Sequence, residues 1–346
     1  MSVLETLMLG VEQLVALVLG ASLVVYVVTG GADFGGGVWD LLARGPRQVA
    51  QRRAIALAIG PIWEANHVWL ILALVLTFVC YPVAFAAIST ALHIPLVILL
   101  ICIVVRGAAF VFRAYDSRDA EVQRRYSAVF AVGSAVSPVM LGVVVGAIAS
   151  GRIRVVDGRV ATDFVSAWLA PFPMAVGLLT LAIFAYLAAV YLCVATWESP
   201  ELQEDFRVRG LASGGAVFVL AWVAFFLARD GAPLVWQGLW QSPWSWPLQV
   251  LVATVGLGTL GGLFWRRYRL ARILAVAQVV LVVGGWAACQ WPHVVPPDIL
   301  VTDTAPRVVL INTLRILGIG AVPLLVAYGW LMRVFRADDA PLDHRL

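Results

Sequence analysis

IALAIGPIWEANHVWLILALVLTFVC, residues 55–80, is an apolar run with one acid, Glu64, and one histidine, His67, set inside it. A bilayer core of ~30 Å and a rise of ~1.5 Å per residue require about 20 apolar residues for one helical crossing. The run is long enough. Read as one helix from about Ala54, it places Glu64 roughly 15 Å along the axis, midway through the apolar layer. A carboxylate there is costly unless it is paired, hydrated or protonated. Such surroundings favour the neutral acid, and a carboxyl of that kind can take up and release protons. His67 follows at i+3 on the same face. Asn66 adds a polar group, and Pro61 removes one helix hydrogen bond, which frees a carbonyl for water. The result is a polar strip able to hold a water chain. The alternative is a satisfied structural network between helices. A haem-ligand role for His67 is the weaker reading, because a single histidine does not make a haem site and a neutral imidazole packs well among polar groups.

The rest of the chain extends this pattern. Of 346 residues, 62% are hydrophobic and 13% charged, against about 25% charged in a soluble domain. Mean hydropathy is +0.93. A soluble fold of this size cannot bury that much apolar surface, and a disordered chain does not contain it. The sequence therefore predicts an all-α polytopic membrane protein. Nine spans are expected near 7–30, 55–80, 85–111, 127–150, 173–196, 211–228, 248–265, 273–291 and 308–332. Residues 1–346 form a single membrane domain in this reading, with a short cytoplasmic tail at 334–346. The N-terminal residues lack the positive region of a cleaved signal peptide, so the first helix is expected to be retained.

All 24 basic residues are arginine, and the net charge is +4. Seventeen arginines lie in loops after odd-numbered spans or in the tail, in groups that begin at Arg44, Arg113, Arg207, Arg266 and Arg333. Five lie in the alternate loops, and Arg106 and Arg315 fall inside spans. This bias predicts an outside N-terminus and a cytoplasmic C-terminus, which an odd number of spans requires. The arginines act as topology signals; with no compact basic face, nucleic acid is excluded as a partner. Cys80, Cys102, Cys193 and Cys289 sit in apolar runs without a CxxC pair and read as small core hydrophobes. No set of His, Cys and carboxylates has metal-ligand spacing, and no nucleophile–base pair is suggested. The segment 229–247 carries Trp236, Trp240, Trp244 and Trp246. It reads as an outer loop whose rings form an interfacial belt, with a quinone or partner contact as the alternative.

Two further charges join the candidate site. Asp33 stands beside the glycine run Gly35-Gly36-Gly37, read as the cytoplasmic end of the first helix, with close backbone contacts. It is a candidate proton entry or a helix-end hydrogen-bonding residue. Arg106, near the inner end of the third span, either snorkels or balances a buried carboxylate.

Thr29-Gly30-Gly31-Ala32-Asp33-Phe34-Gly35-Gly36-Gly37-Val38-Trp39 and Gly60-Pro61-Ile62-Trp63-Glu64-Ala65-Asn66-His67-Val68-Trp69-Leu70 resemble the cytochrome bd quinol oxidase subunit II family. Trp291-Pro292-His293-Val294-Val295-Pro296-Pro297 supports the likeness. The resemblance implies nine helices, as two four-helix bundles plus one peripheral helix. It implies a haem-free subunit paired with a subunit I that holds haems b and d, oxidises quinol and reduces O2 to water. Small accessory peptides, membrane lipid and a structural quinone in an apolar groove come with it. This chain alone is then not catalytic, and its role is a proton path from the cytoplasm. The family's buried acid maps to Glu64 and its aspartate before the glycine turn to Asp33; His67 and Arg106 complete the path. One departure stands out: many members read Thr-Asp-Gly where this chain has Thr29-Gly30-Gly31, so Asp33 must act without that second acid. A proton-coupled secondary transporter using the same buried carboxyl is the rival reading.

Overall fold

The computed structural model describes residues 10–59, 63–115 and 120–337. In chain order the helices are α1 (Val11–Leu41), α2 (Gln48–Ile59), α3 (Trp63–Cys80), α4 (Pro82–Ala91), α5 (His93–Tyr115) and α6 (Ala120–Ala149). They continue as α7 (Pro171–Ala195), α8 (Pro200–Gly231), α9 (Pro233–Gln241), α10 (Ser245–Phe264), α11 (Tyr268–Gln290) and α12 (Arg307–Ala337). Eight of them are long and apolar enough to cross a bilayer. α2 and α3, which meet at 52°, pass the same test only as a pair and make a ninth if the two are one span. The span count expected from sequence is reached with this pair taken as one crossing. Gly60, Pro61 and Ile62, the expected kink, lie outside the described residues.

The third crossing starts at His93 and not near residue 85, because Pro82 opens a separate ten-residue helix, α4. The first crossing is longer than expected and runs through the glycine segment to Leu41. Glycine weakens a helix by about 1 kcal/mol per residue, so the segment reads locally as a helix end. Tertiary packing overrides that preference. A methyl on Gly35 would overlap the Phe184 carbonyl oxygen of α7, and one on Gly37 would overlap the Ser134 side chain of α6. The glycines let α1 lie directly against the backbones of its neighbours, where dispersion contacts replace the missing side chains.

Hydrogen bonds sort the chain into two ends. At one, the Tyr81 hydroxyl donates to the Glu12 carbonyl (3.1 Å), and Ala305 N–H donates to the Cys80 carbonyl (2.9 Å). At the other, Arg47 and Gln51 donate to the Asp205 carboxylate, each at 2.8 Å, and Arg209 donates to Gln51 (2.7 Å). The start of α1 and the end of α3 therefore share one end, and the α1–α2 turn shares the other with the start of α8.

Two hairpins close the first end and were not foreseen in the sequence. In the first, β1 (Val155–Val156) pairs with β2 (Arg159–Val160) around Asp157 (φ 49°) and Gly158 (φ 71°), an Asp-Gly turn whose two positive φ values suit the twist of a tight hairpin. In the second, β3 (His293–Val295) pairs with β4 (Ile299–Leu300). Asp298 ties them together, accepting from Arg154 Nε and Val155 N–H at 2.8 Å each. In the loop between β2 and α7, Ser166 donates through its hydroxyl and its backbone N–H to Asp163, with a further bond from Val165 N–H. These bonds hold the Asp163 carboxyl down at about 2. The tryptophan-rich segment is also more ordered than a loop: it forms α9, opened by Pro233. The i,i+4 spacing stacks Trp236 on Trp240 at 5.6 Å. Cys80, Cys193 and Cys289 are buried free thiols, as small core residues should be, while Cys102 is half-buried.

Candidate functional site

The first crossings enclose a cluster of charged and polar side chains. Asp33, about a quarter of the way back from the end of α1, is 3% exposed. Counted at 1.5 Å per residue, it lies about 12 Å from Leu41 and about 33 Å from Val11, so it is closer to the arginine-rich end. Its Oδ2 accepts a 2.7 Å hydrogen bond from Asn66 Nδ2 of α3. Arg106 of α5 is buried too. It does not snorkel: Nε donates to Ser134 Oγ of α6 (2.9 Å) and Nη2 donates to the backbone carbonyl of Asp33 (3.0 Å). Its guanidinium also lies over the Phe34 ring at 4.6 Å and the Phe130 ring at 5.1 Å. Aromatic faces of this kind attract a cation, and more strongly where water is excluded. One arginine thus joins α1, α5 and α6, and Asn66 adds α3.

His67 packs edge-on against Tyr26 (6.0 Å between ring centres) and tilted against Phe34 (5.7 Å). The Tyr26 hydroxyl and Asn66 Oδ1 are buried and make no hydrogen bond among the described residues. Two buried polar atoms left over beside a carboxylate are what a bound water needs for partners.

Glu64 lies elsewhere than the sequence suggested. It is in the first turn of α3 and is exposed on the surface of the chain. Two features explain the difference. The second crossing is two helices, so counting from Ala54 does not measure depth. Within α3 the buried positions are Asn66, Ala73, Leu76 and Cys80, whereas Val68, Ile71, Val75 and Phe78 are exposed. Steps of three and four residues put Glu64 at the head of the exposed stripe, and Asn66, two residues on, points to the opposite side. The cluster therefore contains Asp33, Asn66, His67 and Arg106, and leaves Glu64 on the outer face of the same helix. The sequence reading missed Tyr26, Ser134 and the two phenylalanines. Serine and aromatic residues in apolar helices are too common to carry a signal, and only the fold brings Ser134, Phe34 and Phe130 to Arg106 and Tyr26 to His67.

The three described histidines lie apart from one another. His67 is engaged by two aromatic rings, His93 Nδ1 lies 3.0 Å from the Thr90 carbonyl, and His293 begins β3 in a separate part of the chain. No group of three His, Cys, Asp or Glu side chains suited to a metal occurs among the described residues.

These features define a multi-pass, all-helical membrane protein with a buried charged network linking α1, α3, α5 and α6. The chain belongs to the cytochrome bd terminal oxidase subunit II family, whose model matches residues 11–335. It is 27% identical over 215 residues to cytochrome bd-I ubiquinol oxidase subunit 2 of Escherichia coli K12, covering 61% of this chain and 54% of that one. It thus spans about half the length of that relative. Cytochrome bd ubiquinol oxidase subunit 2 of Bacillus subtilis is 37% identical over 93 residues, 27% of each chain. The fold matches a chain of the bd oxidase from Geobacillus thermodenitrificans with a TM-score of 0.77, at 21% identity, over 95% of this chain and 99% of that one. With its apolar spans and bacterial relatives, this is a multi-pass protein of the bacterial plasma membrane.

Proposed function

We propose that the chain is the haem-free subunit of a quinol oxidase, paired with a subunit I that carries haems b and d. Those haems supply quinol oxidation and the reduction of O2 to water; this chain supports the partner and delivers protons from the cytoplasm. The observation that carries the reading is the position of Glu64. An acid at the head of a stripe of exposed Val68, Ile71, Val75 and Phe78 would be expensive against acyl chains. A protein surface covering that face removes the cost, and subunit I is the natural cover. Asn66 lies across the width of α3 from Glu64, and Asp33, bonded to it, is on the arginine-rich half of α1. Protons then enter there, rest at Asp33, pass Asn66 and His67 with water beside Tyr26, and leave at Glu64. Arg106 fixes the Asp33 backbone and sets the charge around its carboxylate, with which it interacts electrostatically. In this reading the arginine-rich end is cytoplasmic and the N-terminus outside.

In this reading the crossings divide into two four-helix bundles, one from α1, α2–α3, α5 and α6 and the other from α7, α8, α10 and α11. The peripheral ninth is α12, whose apolar window is only 6% buried against 56% for α6 and α7. An apolar groove of about 390 Å³ along Ile103, Gly107 and Phe112 of α5 is the place offered for a structural quinone. Accessory peptides and lipid complete the assembly. The family match over residues 11–335 favours this reading over a proton-coupled transporter.

The test is Glu64→Gln in the assembled complex. Loss of a positioned proton donor costs about 10²-fold or more, so turnover and membrane-potential generation should both fall while assembly and haem content persist. Full turnover with intact voltage would remove Glu64 from the path and leave the subunit a scaffold.

A further inference from the structure

We propose an anionic phospholipid site at the arginine-rich end of the second group of helices, between the α7–α8 turn and the α10–α11 turn. A cavity of about 610 Å³ opens there, lined by Trp197, Arg266, Arg267, Tyr268, Arg269 and Leu270. Three arginines on one cavity wall form a strong positive focus. Glu204 answers part of it: its carboxylate is bonded by Arg207 and lies 3.4 Å from Arg266. Arg267 and Arg269 remain as the charge offered to a ligand.

The backbone sets these side chains in place. The turn Trp265-Arg266-Arg267 reverses the chain between two crossings. Arg267 N–H bonds the Gly262 carbonyl (2.7 Å) and Arg266 N–H the Leu263 carbonyl (3.2 Å). This pair of bonds places the intervening residue in the left-handed region, normally glycine; here it is Arg266, at φ 59°. The turn leads straight into α11, whose first-turn residues Tyr268, Arg269 and Leu270 line the cavity. The N-cap, Arg267, makes no side-chain cap, so the first-turn N–H groups add to the field that the guanidinium groups already create.

The chemistry that fits is a phosphate diester. Bidentate arginine donors match its oxygens. The same chemistry occurs in a lipid headgroup and in free phosphate, and the remaining wall selects the lipid. Trp197, 71% exposed, and Tyr268 are side chains of the membrane interface. Leu270 and Ile273, 45% and 64% exposed, continue along α11 as a track for an acyl chain. Basic pockets between crossings at a cytoplasmic face recognise anionic lipids in this way. The site does not depend on the proton path.

The experiment uses the full chain, purified in mild detergent with the subunits that accompany it and then delipidated. Native mass spectrometry reads phosphatidylglycerol bound in competition with phosphatidylcholine of the same acyl chains. The wild-type protein should retain one phosphatidylglycerol that phosphatidylcholine does not displace. R267Q/R269Q should weaken it about 30-fold, since each arginine near the surface contributes roughly a factor of five. R267K/R269K, which keeps the charge but loses the bidentate fork, should bind between the wild type and R267Q/R269Q. Inorganic phosphate at millimolar concentration should not displace the lipid. Equal retention of both lipids by the wild type, which needs no variant, overturns the proposal, and so does undiminished binding by a folded R267Q/R269Q. Displacement by inorganic phosphate alone would assign the cavity to a free anion and overturn the lipid reading.

Discussion

Gly35→Ala should prevent α1 from docking on α7. A single methyl at this position overlaps the Phe184 carbonyl oxygen and stands 2.8 Å from Ala188 Cβ. The obstacle is backbone, not the end of a flexible side chain, so no rotamer change can remove it. The helices must separate, and Asp33, two residues earlier on α1, moves with them. Overpacking a core usually costs about 1–3 kcal/mol; displacement of a whole helix from its partner belongs at or above the top of that range. The expected result is a large fall in the thermal midpoint of the purified chain and in the fraction recovered from membranes. Gly20→Ala is the control. It lies on the same helix with nothing within 4 Å of the added methyl. Alanine is the better helix former by about 1 kcal/mol, so Gly20→Ala should be neutral or stabilising. Equal tolerance of both substitutions would mean that α1 does not approach α7 through its glycine face.

The same glycines show where the sequence could be read and where it could not. Length, apolarity and arginine spacing act locally and additively, so the crossings were legible from composition and periodicity. The glycine segment was misread as a helix end because propensity is a local quantity, whereas its continuation to Leu41 depends on what Phe184 and Ser134, about 150 and 100 residues away, present to it. Glu64 failed for a related reason. The sequence places an acid in an apolar run, but the side of α3 it occupies follows from which residues reach the core, and Asn66 takes that role. Asp33 and Arg106 were recognisable as candidates because charges in apolar helices are conspicuous. Their bridge was not, since Arg106 binds a backbone carbonyl, a partner that no side-chain pattern reveals. The β1–β2 hairpin did carry a local signal, Asp157-Gly158, but it was overshadowed by the apolar runs on either side.

Arg106→Leu should have an effect as large as that of Gly35→Ala, by a different route. Leucine fills much of the volume but donates nothing. Ser134 Oγ and the Asp33 carbonyl each lose a charge-assisted hydrogen bond, and the Phe34 and Phe130 rings lose the cation between them. The Asp33 carboxyl keeps its bond from Asn66 but loses the positive charge that balanced it. Each buried acceptor left without its charged donor costs about 1–3 kcal/mol, and the Asp33 carboxylate loses its counter-charge as well. Arg106→Lys separates charge from geometry. An ammonium keeps the positive charge but lacks the planar fork that reaches α6 and α1 together, so an intermediate loss is expected. Adding Asp33→Asn to Arg106→Leu removes the stranded charge. The double variant should then be less destabilised than the sum of the single ones by about 0.5–3 kcal/mol, the coupling usual for residues that share a network. Thermal midpoints of the four proteins, measured in one detergent, complete this cycle. Strict additivity would show that Arg106 serves only as a brace between α1, α5 and α6, and would remove it from any control of the proton at Asp33.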